Sequence, residues 1–280
     1  MKSLRPTVAL AGILAAATPS TFAGVTLFEA TGANPASIQP TIDSFRASLG
    51  ALNPNQPIEF ATGRREINWD GVPDAFAEPN LFPGDFFNGN TPGRARGIQF
   101  STPGTGFFVS ADSSNPTATP PSFGFPSDFV PFSAERLFAP VSSLITEITF
   151  FSAGTTDPAT VAGFGAVFSD VEMADLTSLA AYDQDGNLLF SHAVSVAGNG
   201  GQSFLGIQAN AGERIAKILL TTGDIQILGS GIFGPGTDTV VMDDFIYAEP
   251  KAVVPEASTT LAGLISLSAA AGYLVRRRRS

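Results

Sequence analysis

Residues 179–190, LAAYDQDGNLLF, decide the fold class, because two apolar runs flank a tight-turn sequence. Asp185-Gly186 readily adopts left-handed turn geometry, so the runs on either side are predicted to form a β-hairpin. A calcium loop is the alternative for DQDGN at 183–187. That segment lacks the third alternating oxygen ligand before the glycine and a closing glutamate. We therefore expect two antiparallel strands here.

Similar apolar runs recur along the chain between turn residues, which include 29 Gly and 21 Pro. The predicted strands are 25–30, 58–61, 66–69, 97–100, 106–110, 144–152, 161–168, 179–183, 188–196, 202–208, 215–221 and 239–248. Many short strands with Gly- and Pro-rich turns indicate an all-β fold, here a β-sandwich of the jelly-roll type. The apolar run 148–151 is expected to be buried on both faces. Residues 112–131 have no period and are predicted to form a long surface loop.

One short helix is predicted near the N-terminus, over residues 41–49. Ile42, Phe45 and Leu49 recur at helical spacing, and Gly50 suits a C-terminal cap. No fixed-period repeat is visible, which argues against a solenoid or propeller.

Both ends of the chain have the composition of targeting segments. Lys2 and Arg5 precede a ten-residue apolar run, and Thr21-Phe22-Ala23 suits signal peptidase, so residues 1–23 are predicted to be a signal peptide cleaved before Gly24. Residues 251–280 combine an elbow at 253–260, an apolar run at 261–275 and four arginines at 276–279. This run of 15 residues is short for a span of about 20, and the arginines are retained on the cytoplasmic side.

The C-terminal segment resembles the PEP-CTERM sorting signal of Gram-negative bacteria. The matching residues are Val254, Pro255 and Glu256 in the elbow and Arg276, Arg277, Arg278 and Arg279 at the end. Ala257 stands where the family usually has a second proline. The resemblance implies recognition and removal of the tail by an exosortase, with only a transient membrane stage for the C-terminal helix. The expected route is through the periplasm to the outer surface or extracellular matrix.

The segment between the two targeting segments, residues 24–250, is predicted to be one domain. It contains no cysteine, so an exported fold must rely on its core or on a metal. Its eight basic and 24 acidic side chains give a net charge of −16, which argues against nucleic acid as a partner. From 161 to 247 it resembles a module of exported PEP-CTERM proteins that is similar to lectin-like and carbohydrate-binding sandwiches. That likeness implies a scaffold more than an activity.

The last predicted strand carries adjacent acids, Asp243 and Asp244, between apolar neighbours. Alternation places them on opposite faces that are both apolar, so at least one carboxylate is carried inward. A buried carboxylate needs hydrogen bonds, a base or a cation. A structural Ca²⁺ held by Glu29, Asp243 and Asp244 is one solution. Backbone amides or Arg214 are the other.

The sequence offers no convincing catalytic set, and we expect no enzyme activity. The single histidine, His192, shares a predicted apolar face with Phe190 and has no local partner, and a Gly-x-Ser-x-Gly elbow is absent. Glu66 and Asp70 are the nearest candidates for an acid pair of the kind that glycosidases use. Their neighbour Trp69 is expected to anchor the core, with Asp70-Gly71 forming a turn.

Three functions of different classes follow from these observations. The leading hypothesis is a non-enzymatic, exported surface or matrix protein with exopolysaccharide or another glycan as candidate ligand, and with signal peptidase and exosortase as processing partners. The second is a carbohydrate-active hydrolase that uses an acid pair. The third is a self-assembling adhesin with exposed Phe-rich loops such as Phe123-Gly124-Phe125. A patch of Arg64, Arg65, Arg94 and Arg96 is a further candidate surface for acidic polysaccharide.

Overall fold

The computed structural model describes residues 20–22, 24–210, 212, 214–227 and 236–253. These residues form two antiparallel β-sheets and one α-helix, which confirms the predicted all-β sandwich. Val254, Pro255, Glu256 and the arginines 276–279 of the sorting signal lie outside the described residues, as does most of the predicted signal peptide. No helix in the described ranges is both long and apolar enough to cross a bilayer.

The helix comes early in the chain, and short strands make up nearly all the regular structure after it. The first half contains β1 Ser20–Phe22, β2 Val25–Gly32, α1 Pro35–Leu49, β3 Arg64–Ile67, β4 Ile98–Ser101, β5 Gly106–Val109, β6 Phe138–Val141 and β7 Ile145–Phe151. The second half contains β8 Pro158–Thr160, β9 Gly163–Ser169, β10 Ser178–Tyr182, β11 Leu188–Ala193, β12 Gln202–Ala209, β13 Lys217–Thr221, β14 Val241–Ala248 and β15 Lys251–Ala252. Short 3₁₀ turns lie at Asp74–Phe76 and Ser122–Gly124.

The first sheet has the order β1-β2-β12-β9-β14-β6-β5, and the second has β11-β10-β13-β7-β8-β15. Two strands divide one edge between two partners. The N-terminal part of β14 pairs with β6 and its C-terminal part with β3 on the same edge. One edge of β7 pairs first with β13 and then with β8, and β4 pairs along its other edge. β14 therefore lies deep in the first sheet, and the predicted acids of the last long strand are carried into the interior.

The helix α1 covers the outer face of the first sheet. Asn34 caps its N-terminus by accepting from the backbone N–H of Ser37, and Gly50 ends it at a positive φ. Phe45 packs on Phe28 and Phe204 with ring centroids 5.2 and 5.5 Å apart. Because the helix covers one face and the second sheet covers the other, β9 and β14 are buried along their whole length.

A cluster of aromatic rings fills the space between the sheets. Trp69 is buried and stacks on Phe138 at 4.1 Å, with Phe82, Phe100 and Phe245 around it. The backbone N–H of Val72 donates to the carbonyl of Trp69, which closes a turn at residues 69–72. The predictions of a core tryptophan followed by a turn are confirmed.

The hairpin that decided the fold class is present. Tyr182 pairs with Leu188, and the carboxylate of Asp183 accepts hydrogen bonds from the backbone N–H groups of Asp185 and Asn187. Gly186 has the positive φ that the turn requires. This side-chain bonding stabilises the turn itself and explains why the segment reverses so tightly.

Other element predictions were wrong. The run 148–151 is not buried on both faces, because residues of β7 alternate between buried and partly exposed positions. Residues 58–61 form bends rather than a strand. Phe138–Val141 was missed because Pro140 interrupts an otherwise strand-like pattern, and the helix starts earlier than predicted because Pro35 and Pro40 are both accommodated in it.

Candidate functional site

The acids of the last long strand lie on a β-bulge. Met242 pairs with Phe168 and Phe245 with Ala166, so two residues of β14, Asp243 and Asp244, lie opposite one residue of β9. An extra residue of this kind disrupts strict alternation and re-aims side chains. The prediction that the two aspartates point to opposite faces was therefore wrong, and both carboxyl groups contact the same side chain, Ser133.

Backbone N–H groups surround Asp243, which is fully buried. One carboxyl oxygen accepts from Phe132 N at 2.7 Å and from Ser133 N at 3.1 Å. The other accepts from Asp244 N at 2.8 Å, and Ser133 Oγ lies 3.3 Å from it. Each oxygen is thus held by donors, and the loop that carries Ser133 is pinned onto β14.

Asp244 is held by side chains instead. Ser133 Oγ donates to one oxygen at 2.8 Å, and an Arg46 nitrogen of α1 donates to the other at 3.2 Å. Arg46 also forms a two-point pair with Glu66. We call the group of Arg46, Glu66, Ser133, Asp243 and Asp244 the bulge cluster.

Burial and like charge dominate the electrostatics of the bulge cluster. Burial and the neighbouring Asp244 raise the pKa of Asp243 well above its usual range, against the opposing effect of its backbone donors. Burial likewise raises the pKa of Asp244, although Ser133 and Arg46 oppose the shift. Burial lowers the pKa of Arg46, but its hydrogen bond to Glu66 and the surrounding carboxylates outweigh this and hold it above the ordinary value.

Glu29 is not part of the bulge cluster. It lies on β2, separated from β14 by β12 and β9, a distance of about 14 Å at the usual strand spacing. Its carboxylate accepts from Ser195 Oγ and lies 3.7 Å from His192 Nε2. The predicted ligand set of Glu29, Asp243 and Asp244 is therefore not assembled.

The described ranges contain no group of three or more Asp, Glu, His or Cys arranged to hold a metal. Both oxygens of Asp243 already accept from N–H groups, which a cation would have to displace. The geometry favours the alternative in which backbone amides satisfy the buried acid. The base that assists is Arg46 rather than Arg214, which donates to Thr160.

A polar pocket of about 310 Å³ opens beside the bulge cluster. Its wall is formed by Asp70, Asp112, Ser113, Ser114, Ala134, Glu135 and Arg136. Burial raises the pKa of Asp70, even though the backbone N–H of Arg136 and the hydroxyl of Ser133 lower it. Ser133 thus links the pocket wall to the buried acids behind it. We call this surface the Asp70 pocket.

The buried side chain of Arg136 binds several groups in and around the Asp70 pocket. Its guanidinium is buried and pairs with Asp74 at 2.5 Å and with Asp112 at 2.6 Å, and it also donates to the carbonyl of Ser110. Its Nε is buried without a hydrogen-bond partner among the described residues. Glu135 accepts from both the N–H and the hydroxyl of Ser113. The pocket therefore presents carboxylates that are held in place, Asp112 by the guanidinium of Arg136, Glu135 by Ser113 and Asp70 by the backbone N–H of Arg136.

The other predicted site residues are dispersed. Glu66 is paired with Arg46 and Arg64 and does not line the Asp70 pocket, so the proposed acid pair of Glu66 and Asp70 is not brought together there. His192 is partly exposed on the edge strand β11, with its ring 5.9 Å from that of Phe190.

The candidate arginine patch and the candidate Phe-rich surface loop are largely occupied by contacts within the domain. Arg65 is buried against Glu249, while Arg94 and Arg96 lie over the rings of Phe86 and Phe87. Phe123 is buried and, with Phe129, belongs to a small second core.

Sequence reasoning missed Ser133, Arg46 and Arg136. Ser133 and Arg136 lie on irregular backbone, where no periodic pattern indicates a direction. Arg46 was recognisable as a basic residue in the last turn of α1, but its partners come from residues 20 and 198 positions away.

No model of a known protein family matches this chain, and no curated protein matches it either.

Proposed function

We propose that this chain is an exported, non-enzymatic β-sandwich of jelly-roll type. A PEP-CTERM-type tail delivers it to the surface or extracellular matrix of a Gram-negative bacterium, where it binds a glycan. The targeting part rests on the apolar N-terminal run with its small-residue cleavage site, and on the order of elbow, short apolar run and four arginines at the other end. Signal peptidase and exosortase are the processing partners in this proposal.

The observation that carries glycan binding is the Asp70 pocket. Carboxylates and hydroxyls are the groups that exchange hydrogen bonds with sugar hydroxyls, and here they converge on one concavity. Asp112 is fixed by Arg136, and Glu135 by Ser113, so they are pre-organised for a ligand. Calcium is not part of the proposal, because the oxygens of Asp243 are occupied by N–H donors.

Binding is tested by presenting a panel of neutral and acidic glycans to the purified exported protein. We expect retention of at least one glycan, and a loss of about tenfold in affinity, roughly 1.4 kcal/mol, for Asp70→Asn or Glu135→Gln. Glu147→Gln is the matched control, since it removes a carboxylate on β7 away from the pocket. No retention on any glycan, or equal losses in all three variants, would contradict the binding site.

Delivery is tested separately by fractionation and mass spectrometry of the native protein. The expected mature form begins at Gly24 and lacks the four terminal arginines. Replacing Arg276, Arg277, Arg278 and Arg279 by Ser should prevent release and leave unprocessed chain in the cell. An intact C-terminus on surface-exposed protein would contradict exosortase processing.

A carbohydrate-active hydrolase is the second candidate, favoured by one observation. Asp70, whose pKa is raised by burial, shares its pocket with a second carboxylate, Glu135. Two carboxyl groups in one concavity are the arrangement that glycosidases use. Release of reducing sugar from a bound glycan, abolished by Asp70→Asn while binding persists, would replace the non-enzymatic proposal with this one.

A further inference from the structure

Arg214 is the exception among the basic side chains of residues 24–250. Five of the eight are in ion pairs, and two more lie over aromatic rings: the first group is Arg46, Arg64, Arg65, Arg136 and Lys217, and the second is Arg94 and Arg96. Arg214 has no carboxylate within ion-pair distance and no ring beneath it in the described part of the chain. Because residues 24–250 contain 24 acidic side chains, a basic side chain without an ion pair is unexpected there.

The guanidinium of Arg214 is fixed and partly buried. Nε donates to Thr160 Oγ1 at 3.0 Å, and Nη2 donates to the Thr160 carbonyl. Nη1 has no hydrogen-bond partner among the described residues. Burial lowers the pKa of Arg214, and the charge of Glu59 only partly compensates. A fixed guanidinium with a free edge is pre-organised to bind an oxyanion through two parallel hydrogen bonds.

Arg214 lines a pocket of about 460 Å³, large enough for one or two sugar rings. The wall consists of Thr160, Asp183, Gln184, Asp185, Leu189, Arg214, Lys251, Ala252 and Val253. Lys251 adds a second cation, although Glu59 lies 3.3 Å from its Nζ. Asp183 is committed to the hairpin turn, whereas Gln184 and Asp185 are exposed at its tip. Leu189 supplies an apolar wall.

We propose that this pocket binds a sugar residue that carries a carboxylate. The carboxylate pairs with the free edge of Arg214, the sugar hydroxyls reach Gln184 and Asp185, and one face of the ring lies against Leu189. A partly buried, unpaired cation is costly until an anion reaches it, so a carboxylate is preferred to a neutral group at this position.

The net charge of residues 24–250 indicates which kind of acidic glycan the pocket prefers. A net charge of −16 repels a dense polyanion, and this repulsion grows with every carboxylate that the ligand carries, whereas Arg214 pairs with only one. The preferred glycan therefore carries isolated uronate residues separated by neutral sugars, rather than uronate at every position. The site shares no lining residue with the Asp70 pocket, so it stands whether or not glycan binds there.

The test is calorimetric titration of the purified exported protein with three oligosaccharides. One carries a single glucuronate among neutral sugars, the second is the same molecule with that carboxyl reduced to the alcohol, and the third is a polyglucuronate of equal length. We expect the first to bind at least tenfold more tightly than the other two. Equal affinity of the first two, or no binding of the first at millimolar concentration, would overturn the proposal.

Variants locate the binding. Arg214→Gln should weaken the first oligosaccharide at least tenfold, and Arg214→Lys should recover part of this loss. Lys217→Gln is matched in charge and lies three residues further along, outside the pocket; it should change affinity less than twofold. A loss in Lys217→Gln as large as that in Arg214→Gln would reduce the effect to net charge and refute the site.

A second variant tests the proposal even if Arg214→Gln fails to fold. Asp185 is exposed at the hairpin tip, and its side chain is not among those that hold the turn. Asp185→Lys brings a cation to the mouth of the pocket and should tighten binding of the glucuronate oligosaccharide at least threefold without tightening its reduced analogue. Equal tightening of both, or of neither, would count against a carboxylate at this position.

Discussion

Two buried charge clusters lie on β14 and immediately after it, and they are built in opposite ways. Arg65 and Glu249 form a two-point ion pair with contacts of 2.7 and 2.8 Å, both side chains being buried. Asp243 and Asp244, in contrast, place two like charges side by side on the bulge. The first cluster is neutral by pairing, and the second is stabilised by backbone donors, a hydroxyl and one shared arginine.

The difference shows what each cluster does for the fold. Glu249 also accepts from the side chain of Asn53 and the backbone of Phe60, so the ion pair fastens the irregular segment after α1 to the end of β14. The bulge cluster fastens the loop at Ser133, which carries one wall of the Asp70 pocket. Burial raises the pKa of both bulge acids, so the contribution of the bulge cluster to stability is expected to change with pH.

The largest expected effect comes from removing one member of the ion pair. Arg65→Met leaves Glu249 buried without its base and should lower the free energy of unfolding by about 3–5 kcal/mol, measured by urea denaturation. Lys217→Met is the control, because its pair with Glu147 is more than one-third exposed on both sides, and it should cost about 0–1 kcal/mol. If Arg65→Met lowers the free energy of unfolding by less than Lys217→Met does, the buried ion pair does not stabilise the fold in this way.

The bulge acids should differ from each other. In Asp243→Asn the amide nitrogen meets a backbone N–H in either orientation, so the variant should lose about 2–3 kcal/mol. Asp244→Asn keeps an oxygen for Arg46 or Ser133 and removes a like charge, so it should cost less than about 1 kcal/mol. Urea denaturation of the two variants at neutral pH measures both. The reverse order would mean that the arginine, not the backbone, holds the cluster.

The smallest effect is expected at Asp170, a third buried acid with other carboxylates nearby. Burial raises its pKa to about 7, with Glu172, Asp128 and Asp238 adding to the shift. The folded state then binds this proton more tightly than the unfolded chain does. Its contribution to stability is therefore present at low pH and is lost as the pH rises from about 4 to about 7.

Asp170→Asn should abolish that loss. Asn tolerates the positive φ of this position and retains an acceptor for Gly200 N. Thermal melting at pH 8 should give a midpoint at least about 2–4 °C above the parent, with little difference at pH 4. Asp175→Asn is the matched control for the backbone conformation, because Asp175 also has a positive φ. Parallel pH profiles for parent and Asp170→Asn would contradict the assignment.

Sequence patterns predicted the structure correctly where turn chemistry or hydrophobic periodicity agrees with the tertiary environment of the segment. The hairpin at residues 182–188 and the apolar face of Ile42, Phe45 and Leu49 were recognisable because turn chemistry and periodicity are local properties. The existence of a buried carboxylate near the end of the chain was likewise predictable, since Asp243 and Asp244 sit among apolar residues.

The partners of those acids were not predictable. A one-residue bulge changes which way both side chains point, and nothing in VVMDDFIY indicates its position. Strand order decides the rest: Glu29 was expected beside Asp243, but two other strands lie between β2 and β14. The donors to Asp243 are mainly backbone N–H groups, which carry no sequence signal at all.

The short strand β15 has a mechanical consequence. Tension applied to the chain beyond Val253 is borne first by a two-residue ladder with β8 at the border of the second sheet, which can be peeled apart one hydrogen bond at a time. The next element, β14, is bonded along most of its length to β9. Under such tension the two-residue ladder of β15 is therefore expected to separate before the longer ladder of β14.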